Sequence, residues 1–203
     1  MFFTNISLLS FTNGSCLFVQ TGKIDEKMID TRIPKKPGIY TLVIVVIQPF
    51  RKKIGKLGYH NFPTGTYTYT GSAIGVKSSN LNSRVGRHLN PRKKKHWHID
   101  YLLSSDRASI WGIIFLETDS KLECEIAQKL FRINGSNSIV NGFGSSDCHK
   151  GCKSHLYHFN ITKEEVASKI IERYETFGIP KVLQAGNTEL VRKKIIEKLN
   201  SKI

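Results

Sequence analysis

GIYTLVIVVIQ, running from Gly38 to Gln48, is apolar at nearly every position and rich in β-branched residues. Alternate side chains of a strand face opposite sides of a sheet, so a run that is apolar on both alternations belongs in the middle of a sheet covered on both faces. Pro34 and Pro37 isolate its start. Downstream, TYTYT (Thr66 to Thr70) alternates strictly, placing Tyr67 and Tyr69 on one face and the threonines on the other. The two segments read as an antiparallel hairpin joined by a long basic loop, RKKIGKLGYHNFPTG.

Beyond Gly71, any of Ser78, Ser79 or Asn80 can cap a helix that runs to about His88 and stops at Asn90-Pro91. Leu81, Val85 and Leu89 repeat every four residues on its core stripe, with Arg84 and His88 one turn apart on the flank. SIWGIIFLE predicts a third strand, Ser109 to Glu117. A helix is expected from about Ser120 to Arg132, with Leu122, Ile126 and Leu130 inward. NGFGSSDCHKGC reads as loop, SHLYHFNIT as a short strand or return, and Thr162 to Thr176 and Thr188 to Lys202 as amphipathic helices. The expected organisation is an N-terminal extension over 1–30, with a start codon at Met28 as an alternative, a main α+β domain over 31–160 and a helical extension over 161–203.

The 203 residues carry a formal net charge of +15, placed unevenly. Between Thr31 and Ile99 there is no Asp or Glu but 14 Lys and Arg, leaving 17 bases against all 16 acids elsewhere. A surface tuned only for solubility intersperses the two signs. A one-sign segment suits a polyanion, whose neutralised phosphates release condensed counterions. Nucleic acid is the expected partner, and no membrane is: the longest aliphatic run, Leu42 to Ile47, is far short of the roughly 20 residues that span a bilayer. The N-terminus lacks the basic region of a secretory signal. Four scattered cysteines do not make a disulfide framework, so a reducing cytoplasm is expected.

The ordered set GIY (Gly38, Ile39, Tyr40), YTGSA (Tyr69 to Ala73) and R-x-x-R-H (Arg84, Arg87, His88) resembles the GIY-YIG nuclease family, and is most similar to its phage intron-homing endonucleases. HWHIDYLL, ECEIAQ, GFGSSDC and SHLYHF resemble an archaeal and bacterial branch of that family. That branch is catalogued as a domain of unknown function and is sometimes fused to endonuclease III. The resemblance spans about Gly38 to Phe159.

It implies a small central three-stranded antiparallel sheet flanked by helices, and a DNA endonuclease using one Mg²⁺ or Mn²⁺, with a role and partners in DNA repair or recombination. Carried over residue by residue, it implies Tyr40 and Tyr69 as the paired active-site tyrosines, Arg84 as the arginine, His88 as the histidine one turn later, and Glu123 or Glu125 as the metal ligand. Glu125 precedes Lys129 by four, an ordinary exposed ion pair, whereas Glu123 sits with Ala127 and Leu130 beside the buried stripe; Glu123 is the expected ligand. Asn134, Asn137 and Asn141 are all open as the family's late asparagine. Thr70 replaces the family's usual isoleucine, and about 28 residues separate the two tyrosines, more than in compact members.

Phosphodiester hydrolysis explains the grouping. A carboxylate holds a hard cation, and an arginine fork meets the non-bridging oxygens. A phenol, with a pKa near roughly 10, needs nearby positive charge to serve as base. The acid-free surroundings of both tyrosines are expected to push that way. Arg87, Arg92, Lys93, Lys94, Lys95, His96 and His98 are expected to contact the DNA backbone. A non-catalytic nucleic-acid-binding module, for DNA or RNA, is the rival reading. Cys148, Cys152, His155 and His158 crowd into one short segment, unlike the separated ligand pairs of ordinary structural sites, so zinc is not expected.

Overall fold

A computed structural model describes residues 32–75 and 79–184. The proposed extension over 1–30 and the helix proposed for Thr188 to Lys202 lie outside them. Among the described residues the chain forms β1 (Gly38–Val46), β2 (Phe50–Lys53), a 3-10 turn (Gly55–Leu57), β3 (Tyr59–Phe62), β4 (Gly65–Ser72), α1 (Leu81–Leu89), α2 (His98–Leu103), β5 (Ala108–Glu117), α3 (Glu123–Phe131), β6 (Leu156–Phe159), α4 (Lys163–Tyr174) and β7 (Lys181–Gln184).

The fold is α+β around one antiparallel sheet in the order β6-β4-β1-β5-β7. β1 is central, with its doubly apolar run buried on both sides as expected. The sheet has five strands, not three: β4, β1 and β5 are the three anticipated, and β6 and β7 extend the two edges. Short strands at sheet edges carry weak sequence signals: β6 falls in the segment expected as a short strand or return, and β7 in the stretch left between two expected helices.

The two alternations of β1 feed two cores. Tyr40, Leu42, Ile44 and Val46 join Tyr67, Tyr69, Leu81, Val85, Ile99 and Leu102 beneath α1 and α2. Ile39 and Val43 face Ile126, Leu130, Val166, Ile170 and Tyr174 of α3 and α4. Thr41 and Thr70 lie buried on this second side, where the Thr41 hydroxyl is 3.1 Å from that of Thr70 and 2.8 Å from that of Tyr174. The helix after residue 160 therefore completes a core, and β7 pairs with β5, so these elements are built into the main unit rather than appended to it.

The basic connection between β1 and β4 is not an irregular loop. Phe50 to Lys53 pairs with Tyr59 to Phe62 as a separate two-stranded ribbon. Phe62 and Ile54 anchor it in the first core, and Phe50 stacks on Phe62 at 5.3 Å between ring centroids.

Candidate active site and its surroundings

α1 starts where Asn80 accepts a hydrogen bond from Ser83 N at 2.8 Å, an N-cap that sets the helix phase. Leu81 and Val85 are buried, which turns His88 inward beneath β1 and Arg84 toward a cleft. That cleft, of about 650 Å³, is lined by Tyr40, Tyr69, Arg84, Trp97, His98, Glu123 and Asp147, among others. Residues from β1, β4, α1, α2, the first turn of α3 and the loop before β6 thus converge on one cavity.

Tyr40 Oη and His88 Nε2 lie 2.7 Å apart, both buried. His88 Nδ1 has no partner. An orphaned buried N–H is rarer than an orphaned acceptor, which places the imidazole proton on Nε2, donating to Tyr40. The phenol proton of Tyr40 is then free for the cleft. Burial pushes the His88 pKa down to about 3, against the opposing pull of the Asp100 charge.

The sign of the resulting pH effect follows from linkage. The unfolded chain protonates this histidine near pH 6.5 and the folded one only near 3, so between these values acid favours unfolding by up to about 1.4 kcal/mol per pH unit. Urea midpoints measured from pH 6.5 to 4 should fall more steeply for the wild type than for His88→Gln. Equal slopes would show that His88 is protonated without cost in the fold.

Both tyrosines depart from the sequence expectation. Burial raises the pKa of Tyr40 and of Tyr69 well above the ordinary phenol value; Glu123 adds to the rise, and Arg84 only partly opposes it. Counting charges along the chain overlooked desolvation, which outweighs them here. Both phenols therefore keep their protons at neutral pH.

Gly71 shows why glycine follows Tyr69 so closely. A Cβ built there would stand 2.5 Å from Tyr40 Oη. Gly71→Ala should displace the Tyr40 ring, break its contact with His88 and cost about 1–3 kcal/mol of stability by overpacking. A denaturation midpoint within error of wild type would contradict this. Gly38 is held likewise, because a Cβ there would strike Leu116 O and Leu81.

Arg84 donates from Nε to Ser79 Oγ at 3.1 Å, and its guanidinium lies 4.6 Å from the Trp97 ring centroid. Arg87 lies over the same ring at 4.5 Å and donates to Asp100 Oδ2 at 2.6 Å. That carboxylate oxygen also accepts from His96 N and Trp97 N. The HWHID segment is thus a platform: buried Asp100 anchors the segment that carries Trp97, and the Trp97 ring stands beneath the Arg84 guanidinium. Arg87 is committed to Asp100 and the Lys94 carbonyl. Lys93 caps the end of α1 through the carbonyls of His88 and Asn90. Arg92, Lys94, Lys95 and His96 are exposed. His98 accepts at Nδ1 from Gly144 N.

Glu123 lines the cleft, and its Oε1 accepts from His155 Nδ1 at 3.0 Å. Glu125 instead is exposed and pairs with Lys150 at 3.3 Å. The partner expected for it, Lys129, lies over Phe177. Among the described residues, Asn134, Asn137 and Asn141 are absent from the cleft lining. Beside the cleft runs a groove lined by Arg51, Lys52, Lys53, Lys56, Tyr59 and Lys95, and the two cavities share His96, His98 and Ser146. The ribbon residues of this groove were visible in sequence only as charge; their pairing as strands is what lines them up.

Cys124, Cys148, Cys152 and His155 form a cluster able to hold a metal ion, their ligand atoms all within 4.8 Å of one another. The segment considered from sequence contained three of them. His158 points elsewhere, its Nε2 3.1 Å from Thr64 O, and the fourth member is Cys124 of α3. The crowding of cysteines and histidines in one segment thus did not describe the real set, which draws on two elements.

A mixed α/β protein with a cleft of phenols, guanidinium and carboxylate beside a basic groove is the class these features define. Residues 39–178 match the family described as Domain of unknown function DUF123, and the chain belongs to that family. No curated protein and no solved structure matches it. Among the described residues no helix is long and apolar enough to cross a membrane.

Proposed function

We propose that this cleft hydrolyses phosphodiester bonds in DNA, as an endonuclease of GIY-YIG type dependent on one divalent ion. The observation that carries the reading is the convergence of Tyr40, Tyr69, Arg84 and Glu123 on one cavity from four elements, with His88 bonded to Tyr40 behind it. The donor set suits Mg²⁺ or Mn²⁺: Glu123 offers a carboxylate oxygen at the cleft wall, and such ions take one or two carboxylates plus substrate phosphate. When bound, the ion supplies Lewis-acid stabilisation of the phosphate.

The chain's own residues account for the rest. Arg84, its guanidinium over the Trp97 ring, presents its remaining N–H groups to the non-bridging oxygens, where charge grows in the transition state. Tyr40 accepts from His88 and directs its phenol proton into the cavity, orienting the attacking water or a phosphate oxygen. Tyr69, its ring edge-on to Phe143 and His88, does the same from the next strand. The groove of Arg51, Lys52, Lys53, Lys56 and Lys95 leads the backbone into the cleft.

The test is cleavage of labelled duplex, flap, junction and damaged DNA with Mg²⁺ or Mn²⁺. Arg84→Ala should lower the rate by about 10²–10³-fold with binding retained. A non-catalytic binding module is the alternative that the basic groove would equally serve; wild type that binds in low salt and cuts none of these substrates would establish it.

A further inference from the structure

We propose that Cys124, Cys148, Cys152 and His155 hold a structural Zn²⁺, separate from the ion at Glu123, and that its histidine ligand positions Glu123. The four side chains come from the first turn of α3 and from the loop that leads into β6. Cys124 Sγ is 3.3 Å from Cys148 Sγ and 3.9 Å from His155 Nε2. With Zn–S bonds of about 2.3 Å, a tetrahedral site has ligand-to-ligand edges of about 3.8 Å, so the set is already near the required size. All three thiols are free, and a pair 3.3 Å apart is well beyond the roughly 2.05 Å of a disulfide.

Ligand chemistry distinguishes the two ions. Three thiolates and an imidazole suit zinc and reject magnesium, whereas the single carboxylate of the cleft, an oxygen donor, suits Mg²⁺ or Mn²⁺. Four protein ligands fill a tetrahedral shell and leave no position for water, which makes the ion structural. Its place in the fold gives it work: it would tie α3 to a loop that turns at Gly142, Gly144 and Gly151, all with positive φ.

His155 supplies the link to the cleft. It is buried, its Nε2 faces the cysteines, and its Nδ1–H donates to Glu123 Oε1. A carboxylate on the far nitrogen of a metal-bound histidine fixes the ring's tautomer and orientation. Here the same contact fixes the carboxylate, so the zinc site sets where Glu123 stands. This last step rests on the nuclease reading of Glu123; the zinc assignment does not.

The test is elemental analysis of the full-length protein, purified under reducing conditions from zinc-supplemented cells and passed through gel filtration. About one zinc per chain is expected, unchanged in Cys16→Ser and below about a tenth in Cys148→Ser/Cys152→Ser. Should that double variant fail to fold, Co²⁺ added to zinc-free wild type decides. Thiolate-to-cobalt charge transfer with intense tetrahedral bands, displaced by one equivalent of Zn²⁺, supports the site. Absence of zinc together with absence of those bands overturns it, as does a Cys124–Cys148 disulfide in the reduced preparation.

His155→Cys separates the two parts: it should keep the zinc but lower cleavage and raise the Mg²⁺ concentration needed for half-maximal rate by about tenfold or more. Zinc retained with an unchanged Mg²⁺ requirement would sink the positioning role. Zinc bound by a wild type that cuts nothing would sink the nuclease reading and leave the metal site standing.

Discussion

Glu123→Ala is expected to reduce DNA cleavage about a thousandfold or more while leaving the fold and low-salt DNA binding intact. The size follows from what the carboxylate would hold: a divalent ion contributes several kcal/mol of transition-state charge stabilisation, and about 4 kcal/mol is close to a thousandfold in rate. Fold should survive because Glu123 is a first-turn residue at the cleft wall, outside the buried stripe of Ile126, Ala127 and Leu130. Binding should survive because the groove cations lie on the ribbon and the segment before α2. Glu125→Ala is the matching control, since that side chain is exposed and paired with Lys150. Single-turnover rates would check the prediction. Equal losses in the two variants, or none in Glu123→Ala, would remove Glu123 from the chemistry.

Asp100→Ala should cost about 3 kcal/mol of stability, the largest loss expected from any single polar substitution around the cleft. One fully buried oxygen accepts from the Arg87 guanidinium and from two backbone N–H groups. Removing it leaves a half-buried cation and two amides without their partner, and breaking such a pair typically costs about 3–5 kcal/mol. Arg87 retains some contact with solvent, which places the expectation at the lower end. Urea denaturation would read it. Activity should fall as well, because Trp97, over which Arg84 lies, would lose its anchor. A midpoint shift worth less than about 0.5 kcal/mol would mean the Trp97 platform stands without its carboxylate.

The central strands were readable because their patterns report burial directly. Gly38 to Val46 is apolar on both alternations and is covered on both faces, with Ile47 and Gln48 exposed beyond the strand, and Tyr67 and Tyr69 share a face as their spacing requires. α1 was largely plain: Asn80, Leu81, Val85 and Asn90-Pro91 are local signals that tertiary packing reinforces, though the stripe continues through buried His88, with Leu89 only half-buried. Helix phase also put Glu123 rather than Glu125 beside the buried stripe, and Glu123 is the one of the two that lines the cleft.

What stayed hidden depended on long-range placement. Phe50 to Phe62 forms a ribbon of two four-residue strands, the first of them largely basic, where alternation is too short to stand out from loop. Cys124 lies 24 residues before Cys148 and on another element, so no local spacing joins it to the loop cysteines. The direction of the tyrosine shifts depended on burial, which a charge count along the chain does not contain.

The hydroxyl of Tyr174 reaches across the second core to Thr41, the residue next to Tyr40. A fragment trimmed after Asn160 would keep every side chain assigned to the cleft yet strip Val166, Ile170 and Tyr174 from beneath the sheet and leave the Thr41 hydroxyl without that counterpart. The smallest piece worth excising for study therefore extends through Gln184, and the motifs that line the cleft are by themselves a poor guide to where the blade should fall.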